Sequence, residues 1–252
     1  MTFQSRHRPR SINDLVFADP LVAGVVQLYA FQRPSKPLLL YGPPGTGKSE
    51  ALRLIALAQF AKAGIETQDF VINGGDTYRD LFTTMLNMAQ WQLWPAGTPS
   101  LIVIDEIDEI EDKHRGKLRS FIEAHPSVQI LASTNYFNAL SPALKSRMRC
   151  VQVLPPTGSD WAARAHAILT AEGASISINV VQGLLKNFTG DSRDLVDYLE
   201  ELVLMGLSSI TPPPAPHSAA ISGSPTSSSS SLASPPLPSA TTPSPSPQPQ
   251  TP

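Results

Sequence analysis

The chain has one cysteine, Cys150, in 252 residues. A disulfide framework is therefore excluded, and a reducing compartment such as the cytoplasm is expected, with the lone thiol read as plain strand core. No window approaches 18 apolar residues, and the opening MTFQSRHRPR is polar, so neither a membrane span nor a secretory signal is expected. No internal repeat is visible. Lys and Arg number 19 against 21 Asp and Glu, a formal net charge of −2. That balance gives no whole-protein attraction to nucleic acid, so any such contact must be local. From Thr211 to Pro252 there is no Asp, Glu, Lys or Arg at all, yet more than half of the 25 prolines fall there. Such a segment cannot bury enough apolar surface to offset its conformational entropy, and disorder with partial polyproline II is expected. The alternative is a proline-rich ligand for a partner, although aromatic and basic anchors are missing. About 210 residues remain, enough for a hydrophobic core.

What is present begins with YGPPGTGKSE, residues 41–50, directly after the apolar run Leu38-Leu39-Leu40. Gly42 through Gly47, Lys48 and Ser49 satisfy G-x-x-x-x-G-K-[ST]. Glycines at 42, 45 and 47 permit positive φ and a close backbone approach to a ligand. Successive amides then form an anion-binding nest, and the following helix presents its positive end. Lys48 would sit on the β- and γ-phosphates of a nucleoside triphosphate, and the Ser49 hydroxyl would ligate magnesium. The competing reading is a strand-to-helix turn that is merely glycine-rich.

Strands and helices alternate after this loop. Apolar runs at 38–41, 69–73, 101–105, 128–133 and 149–154 read as buried strands of a parallel sheet. Helical patterns lie between them at about 49–63, 77–90, 111–124 and 141–147, with Pro142 at a tolerated helix start. The fold class is α/β, a doubly wound parallel sheet with ligands at the carboxyl ends of its strands. Beyond Thr157 the strands stop, and helices at about 159–172, 177–188 and 191–207 suggest a small all-α lid, broken at Gly173 and Gly190. The expected division is an α/β nucleotide-binding domain at 1–156, a helical lid at 157–208 and a disordered Pro/Ser-rich tail at 209–252.

A second constellation, LIVIDEID at 101–108, is an apolar strand ending in carboxylates. Asp105 is placed to hold the magnesium shell, and Glu106 to orient or deprotonate the attacking water. ILASTN, 130–135, ends a neighbouring strand in Asn135, a candidate for the γ-phosphate or lytic water. Arg147 in LKSRMRC and Arg193 in GDSRD are arginines of the kind that stabilise phosphoryl-transfer charge, although a helix-end arginine is often only solvated or salt-bridged.

Together these residues resemble the AAA+ ATPases, and within them the sliding-clamp loaders. GPPGTGKS (42–49) is similar to Walker A, LIVIDE (101–106) to Walker B, Asn135 to sensor 1, Ser146-Arg147-Met148 to the arginine-finger element SRC, and Arg193 to sensor 2. The opening RHRPRSINDLV (6–16) resembles the segment that wraps the adenine, and INGGD (72–76) the stretch after the second loader strand. KLRSFIEAHPSVQILASTN (117–135) and LLKNFTGDSRDLVDYLE (184–200) look most like the ATPase subunit of bacteriophage clamp loaders. The resemblance covers about residues 5 to 205. Two departures stand out: Met148 replaces the cysteine of SRC, and the proline–serine stretch stands where loaders continue into a helical collar.

The resemblance implies ATP and Mg2+ as cofactors, with ATP contacts from Arg6, His7, Val16, Gly42, Pro43, Pro44, Gly45, Thr46, Gly47, Lys48, Ser49, Glu50, Asn135 and Arg193. Ser49 and Asp105 would hold the metal; Glu106, Asn135, Arg147 and Arg193 would act in catalysis, Arg147 on a neighbouring protomer's nucleotide. It implies an ATP-hydrolysing subunit of a homo- or hetero-oligomer that loads a sliding clamp on primer–template DNA with other loader subunits, in the host cytoplasm if phage-encoded. Lys113, Arg115, Lys117 and Arg119 form a basic set suited to DNA phosphates, or a solvated face balanced by Glu109, Glu111 and Asp112. The runner-up is an AAA+ ATPase that remodels a protein partner without a DNA role. A third reading, a scaffold that binds nucleotide but hydrolyses poorly, is disfavoured by Glu106, Asn135 and Arg147.

Overall fold

Five short strands carry the apolar runs: β1 Leu38–Tyr41, β2 Val71–Asn73, β3 Leu101–Asp105, β4 Gln129–Thr134 and β5 Arg149–Gln152. In the computed structural model, which describes residues 1–62, 71–73 and 100–206, they form one sheet in the order β2-β3-β4-β1-β5. Every pairing is parallel. The side chains of 71–73, 112 and 113 also lie outside the described set. The helix expected at 77–90 and the tail from 211 fall outside the described residues. By its contacts the chain divides into Met1–Pro212 and Pro213–Pro252, and all of the second unit lies outside them too.

A parallel sheet must be covered on both faces because its side chains alternate between them. On one face Leu38, Leu40, Leu101, Val103 and Leu131 pack under α2 (Pro20–Phe31) and α3 (Lys48–Lys62). On the other, Leu39, Ile102, Ile104, Ile130 and Ala132 pack under Leu118 and Phe121 of α4 (Asp112–Ala124), and against Leu144 of α5 (Pro142–Lys145). Numbering follows the described helices, beginning with α1 (Phe3–His7). The described strands agree with expectation except at ends: β4 runs one residue later than expected, β5 stops at Gln152 where its partner β1 ends at Tyr41, and residues 69 and 70 of the expected second strand lie outside the described residues. Helix α5 is shorter than 141–147. Arg147 and Met148 instead donate their amides to the carbonyls of Leu144 and Lys145 in tightening turns.

Helix α2 was not expected. Its buried residues Val22, Val25, Val26, Tyr29 and Ala30 follow helical spacing, but Leu21 and Phe31 are apolar and exposed, which blurs the stripe. Asp19 caps it, accepting from the Leu21 amide at 2.8 Å, with Pro20 at the first helical position.

After β5, helices α6 (Gly158–Ala171), α7 (Ile178–Leu185) and α8 (Ser192–Leu204) share a core of Ala165, Ile168, Leu185, Leu195 and Leu199. Capping boxes at Thr157/Asp160 and Asp191/Asp194 start α6 and α8. Phe3 of α1 is buried in this same core, so the first residues, expected with the sheet domain, pack on the helical cluster.

A Cβ on Gly158 would stand 1.9 Å from the Leu185 carbonyl oxygen, so α6 and α7 touch backbone to backbone there. Gly158→Ala is expected to cost about 1–3 kcal/mol by overpacking. A lowered Tm with faster amide exchange in α6 and α7 is the expected result; an unchanged Tm contradicts the contact.

Candidate functional site

The sheet order sets β1 beside β4, and β4 beside β3, so their carboxyl ends converge. From the end of β1 the chain enters the glycine loop with Gly42, Gly45 and Gly47 all at positive φ (151°, 73° and 83°). At two of them the space is also closed. A Cβ on Gly42 would lie 2.1 Å from the Val153 carbonyl oxygen, and one on Gly45 1.9 Å from Asp191 Oδ2. Lys48 is 5% exposed, and its ammonium donates to the Gly42 and Pro43 carbonyls at 2.9 and 2.6 Å. Burial lowers its pKa, opposed by Asp105, Asp108 and Glu106. Thr46 Oγ1 donates to the Pro43 carbonyl at 3.0 Å.

Asp105 ends β3, and its Oδ1 accepts from Ser49 Oγ at 2.9 Å and from Ser133 Oγ of β4. The next residue, Glu106, has φ 53°, in the left-handed region that a side chain enters at a cost of order 1–3 kcal/mol. Its amide donates to Ser133 Oγ at 3.3 Å. Burial raises the Glu106 pKa, followed by the carboxylates of Glu109, Asp105 and Asp108, with Lys48 opposing; the shift makes it a stronger proton acceptor. Thr134 donates to Asp108 Oδ1 at 2.5 Å and accepts from the Tyr136 amide at 3.0 Å.

These groups surround a cavity of about 290 Å³ lined by Pro44 to Glu50, Asp105, Glu106, Ser133, Asn135, Ser192 and Arg193. The helical cluster reaches it directly: the Ser192 hydroxyl and amide donate to the Gly45 carbonyl at 2.7 and 3.1 Å. An adjoining cavity of about 200 Å³ shares Thr46, Gly47, Glu50, Ser192 and Arg193, and adds His7, Val16, Phe17, Trp161 and Ile168. It has the apolar and polar mix suited to a nucleobase.

Of the expected contacts, Pro44 to Glu50, Asn135 and Arg193 line the first cavity, His7 and Val16 line the second, and Gly42 and Pro43 hold Lys48. Arg6 lines neither: its guanidinium pairs with Glu172 at the end of α6, where His7 Nε2 also meets Glu172 at 2.6 Å. Arg147 lines neither and pairs with Glu123 of α4 and the Ala143 carbonyl. Of the basic set expected on α4, Arg115 directs its guanidinium to the carbonyls of Asp108, Ile110 and Ala139, Lys117 and Arg119 are exposed, and the Lys113 side chain lies outside the described residues. Sequence reasoning missed Ser133 and Ser192. The signal for Ser133 was its position two before Asn135 on an extended strand, hence on the same face.

Glu50 is held by Arg8 (3.0 Å) and Arg53, and Arg53 also reaches the Pro9 carbonyl at 2.8 Å, fastening the opening segment to α3. Burial alone would raise the Glu50 pKa, but hydrogen bonds from Arg53 and Arg8 outweigh it, and the net shift is downward from 4.5. A depressed folded-state pKa contributes stability that is present above the unfolded value and lost as pH falls through the folded one. Glu50→Gln is thus expected to lower Tm by about 2–5 °C at neutral pH. The gap to wild type should close as the pH is taken below 4.5, and a gap that widens on acidification contradicts the assignment.

Residues 38–156 match the family model described as ATPase family associated with various cellular activities (AAA). Replication factor C subunit 3 of Oryza sativa subsp. japonica is 26% identical over 200 residues, covering 77% of this chain and 55% of that protein. Replication factor C subunit 5 of Homo sapiens is 25% identical over 198 residues, covering 77% and 58%. Replication factor C subunit 3 of Saccharomyces cerevisiae is 26% identical over 202 residues, again covering 77% and 58%. The chain thus spans rather more than half the length of these relatives. Residues 38–156 form an AAA ATPase domain, in a chain homologous at low identity to replication factor C subunits.

Proposed function

We propose that this chain is the ATPase subunit of a DNA sliding-clamp loader, using ATP binding and hydrolysis to place a clamp on primer–template DNA. The observation that carries the reading is the homology to replication factor C subunits over about 200 residues, joined to a cavity that gathers Lys48, Ser49, Asp105, Glu106, Asn135 and Arg193.

The residues suit a triphosphate with magnesium. The cavity joins a buried cation, loop amides, a hydroxyl and two carboxylates, and Gly47 has open space where a Cβ would stand. Among the described residues no group of three or more His, Cys, Asp or Glu could hold a metal alone. Magnesium does not need one, since it binds through one or two protein oxygens plus substrate phosphates and water. When bound, ATP supplies the phosphoryl group to be hydrolysed, and Mg2+ neutralises its charge. Lys48 binds phosphate oxygens; Ser49 and Asp105 hold the metal; Glu106 takes the proton from the attacking water, which Asn135 orients. Arg193 contacts the nucleotide of its own chain from α8.

Arg147 serves a neighbouring protomer's site, a role supported by its position outside both cavities of its own chain. The subunit therefore works in an oligomer with other loader subunits and the clamp. Lys117 and Arg119 provide local phosphate contacts for DNA. The stretches 117–135 and 184–200 support the narrower reading of a bacteriophage-type loader acting in the host cytoplasm. ATP binding favours one assembly geometry and hydrolysis another, which requires only differential affinity between the two states.

Glu106→Gln is expected to retain ATP affinity while turnover falls about 10²–10⁴-fold, since only proton acceptance is lost. Turnover within a few fold of wild type removes Glu106 as the base. Primer–template DNA is expected to raise wild-type turnover, whereas a rate indifferent to DNA favours remodelling of a protein partner.

A further inference from the structure

One hydroxyl touches both carboxylate residues of the site. Ser133 is 1% exposed in β4; its Oγ donates to Asp105 Oδ1 and accepts from the Glu106 amide at 3.3 Å. No other side chain among the described residues is shown bonding to both. The first bond leaves Asp105 Oδ1 with two hydroxyl donors, Ser133 from the sheet and Ser49 from the phosphate loop. The Ser49 donor stands on the loop that must also meet a ligand, whereas Ser133 stands on a central strand paired on both sides. The second bond fixes the peptide at which the backbone turns left-handed, at φ 53° for Glu106. That turn sends Glu106 toward the cavity immediately after Asp105, where both residues line it with Ser133.

We propose that Ser133 is a positioning residue: it holds Asp105 for the magnesium ion and pins the Glu106 turn, so that metal binding and water activation share one hydroxyl. This rests on the ATPase reading above. The Ser133 hydroxyl is engaged by Asp105 and the Glu106 amide, so it acts through these two neighbours, as outer ligands of metal sites orient the groups that bind the metal. Because the hydroxyl lies on a strand and not on the phosphate loop, its loss spares the anion cradle itself. Metal-free nucleotide binding and magnesium-assisted binding are therefore expected to separate.

The test is equilibrium binding of a fluorescent ATP analogue to the full chain, once in EDTA and once across a magnesium titration, for wild type, Ser133→Ala and Ser133→Thr. Ser133→Ala is expected to leave binding in EDTA within about twofold of wild type, and to raise the magnesium concentration needed for half-maximal enhancement about 10–100-fold. Turnover at saturating magnesium should fall in kcat with little change in KM for ATP. Ser133→Thr, which keeps the hydroxyl, should recover most of the magnesium response. If the alanine variant does not fold by circular dichroism, Ser133→Cys, nearly isosteric with a weak donor, carries the same comparison. An unchanged magnesium response overturns the proposal. So does equal loss of binding with and without magnesium, or a threonine variant as impaired as alanine, since either outcome assigns Ser133 to packing. Wild type that shows no magnesium-assisted nucleotide binding would instead overturn the ATPase reading on which the proposal stands.

Discussion

The position of β4 between β3 and β1 is the constraint on which the site depends. Parallel pairing sets Tyr41 opposite Thr134, and the next residues on either strand are Gly42 of the phosphate loop and Asn135. On its other side β4 sets Ala132 opposite Ile104, which brings Ser133 alongside Asp105. Phosphate loop, acidic pair and terminal asparagine thus meet at one edge of the sheet although they are widely separated in sequence. A one-residue slip of β4 would send Ser133 to the opposite face and bury polar groups in the apolar layers. Those layers oppose the slip: Ile130 and Ala132 belong to one core cluster and Leu131 to the other.

Around this edge the helical cluster and the opening segment form a second wall. Ser192 bonds to the Gly45 carbonyl, Arg164 of α6 bonds to Asp14 and to the His7 carbonyl, and Arg8 bonds to Glu50 beside the phosphate loop. Phe3 sits in the core of the helices, while Ile12, Leu15 and Phe17 pack against the sheet core. The opening segment therefore fastens to both sides of the second cavity. Exposed ion pairs such as Arg6–Glu172 add little energy individually. Phe3, buried, and Leu15, partly buried, add apolar contacts to these polar ones.

Much of this was legible in the sequence because the motifs carry local physics. Glycines at 42, 45 and 47 stand where positive φ is required, and four apolar residues before Asp105 make a strand whose end must be polar. The breaks at Gly173 and Gly190 likewise separate the helices of the cluster, although the starts of α6 and α8 are set by caps at Thr157 and Asp191 that the periodicity alone did not mark. What sequence did not reveal depends on tertiary partners. Arg115 reads as one basic residue among several, and only the carbonyls of Asp108, Ile110 and Ala139 turn it inward. Arg6 reads as a nucleotide contact, and its pairing with Glu172 is visible only in the fold. Ser133 is an ordinary small strand residue until β3 is laid beside it. Helix α2 was hidden because Leu21 and Phe31 are apolar on its exposed side.

Whether the proposed nucleotide site is completed by an arginine from a neighbouring subunit is most directly measured at Arg147. In its own chain it is tied to Glu123, away from both cavities. ATPase activity should be measured for Arg147→Ala, for Lys48→Ala and for their mixture, under conditions in which the chain assembles. A shared site predicts that each variant alone is inactive, that Arg147→Ala still binds ATP with near wild-type affinity, and that mixing restores turnover at interfaces pairing an intact phosphate loop with an intact arginine. Loss of ATP binding by monomeric Arg147→Ala, or no recovery on mixing in a demonstrated assembly, would contradict it.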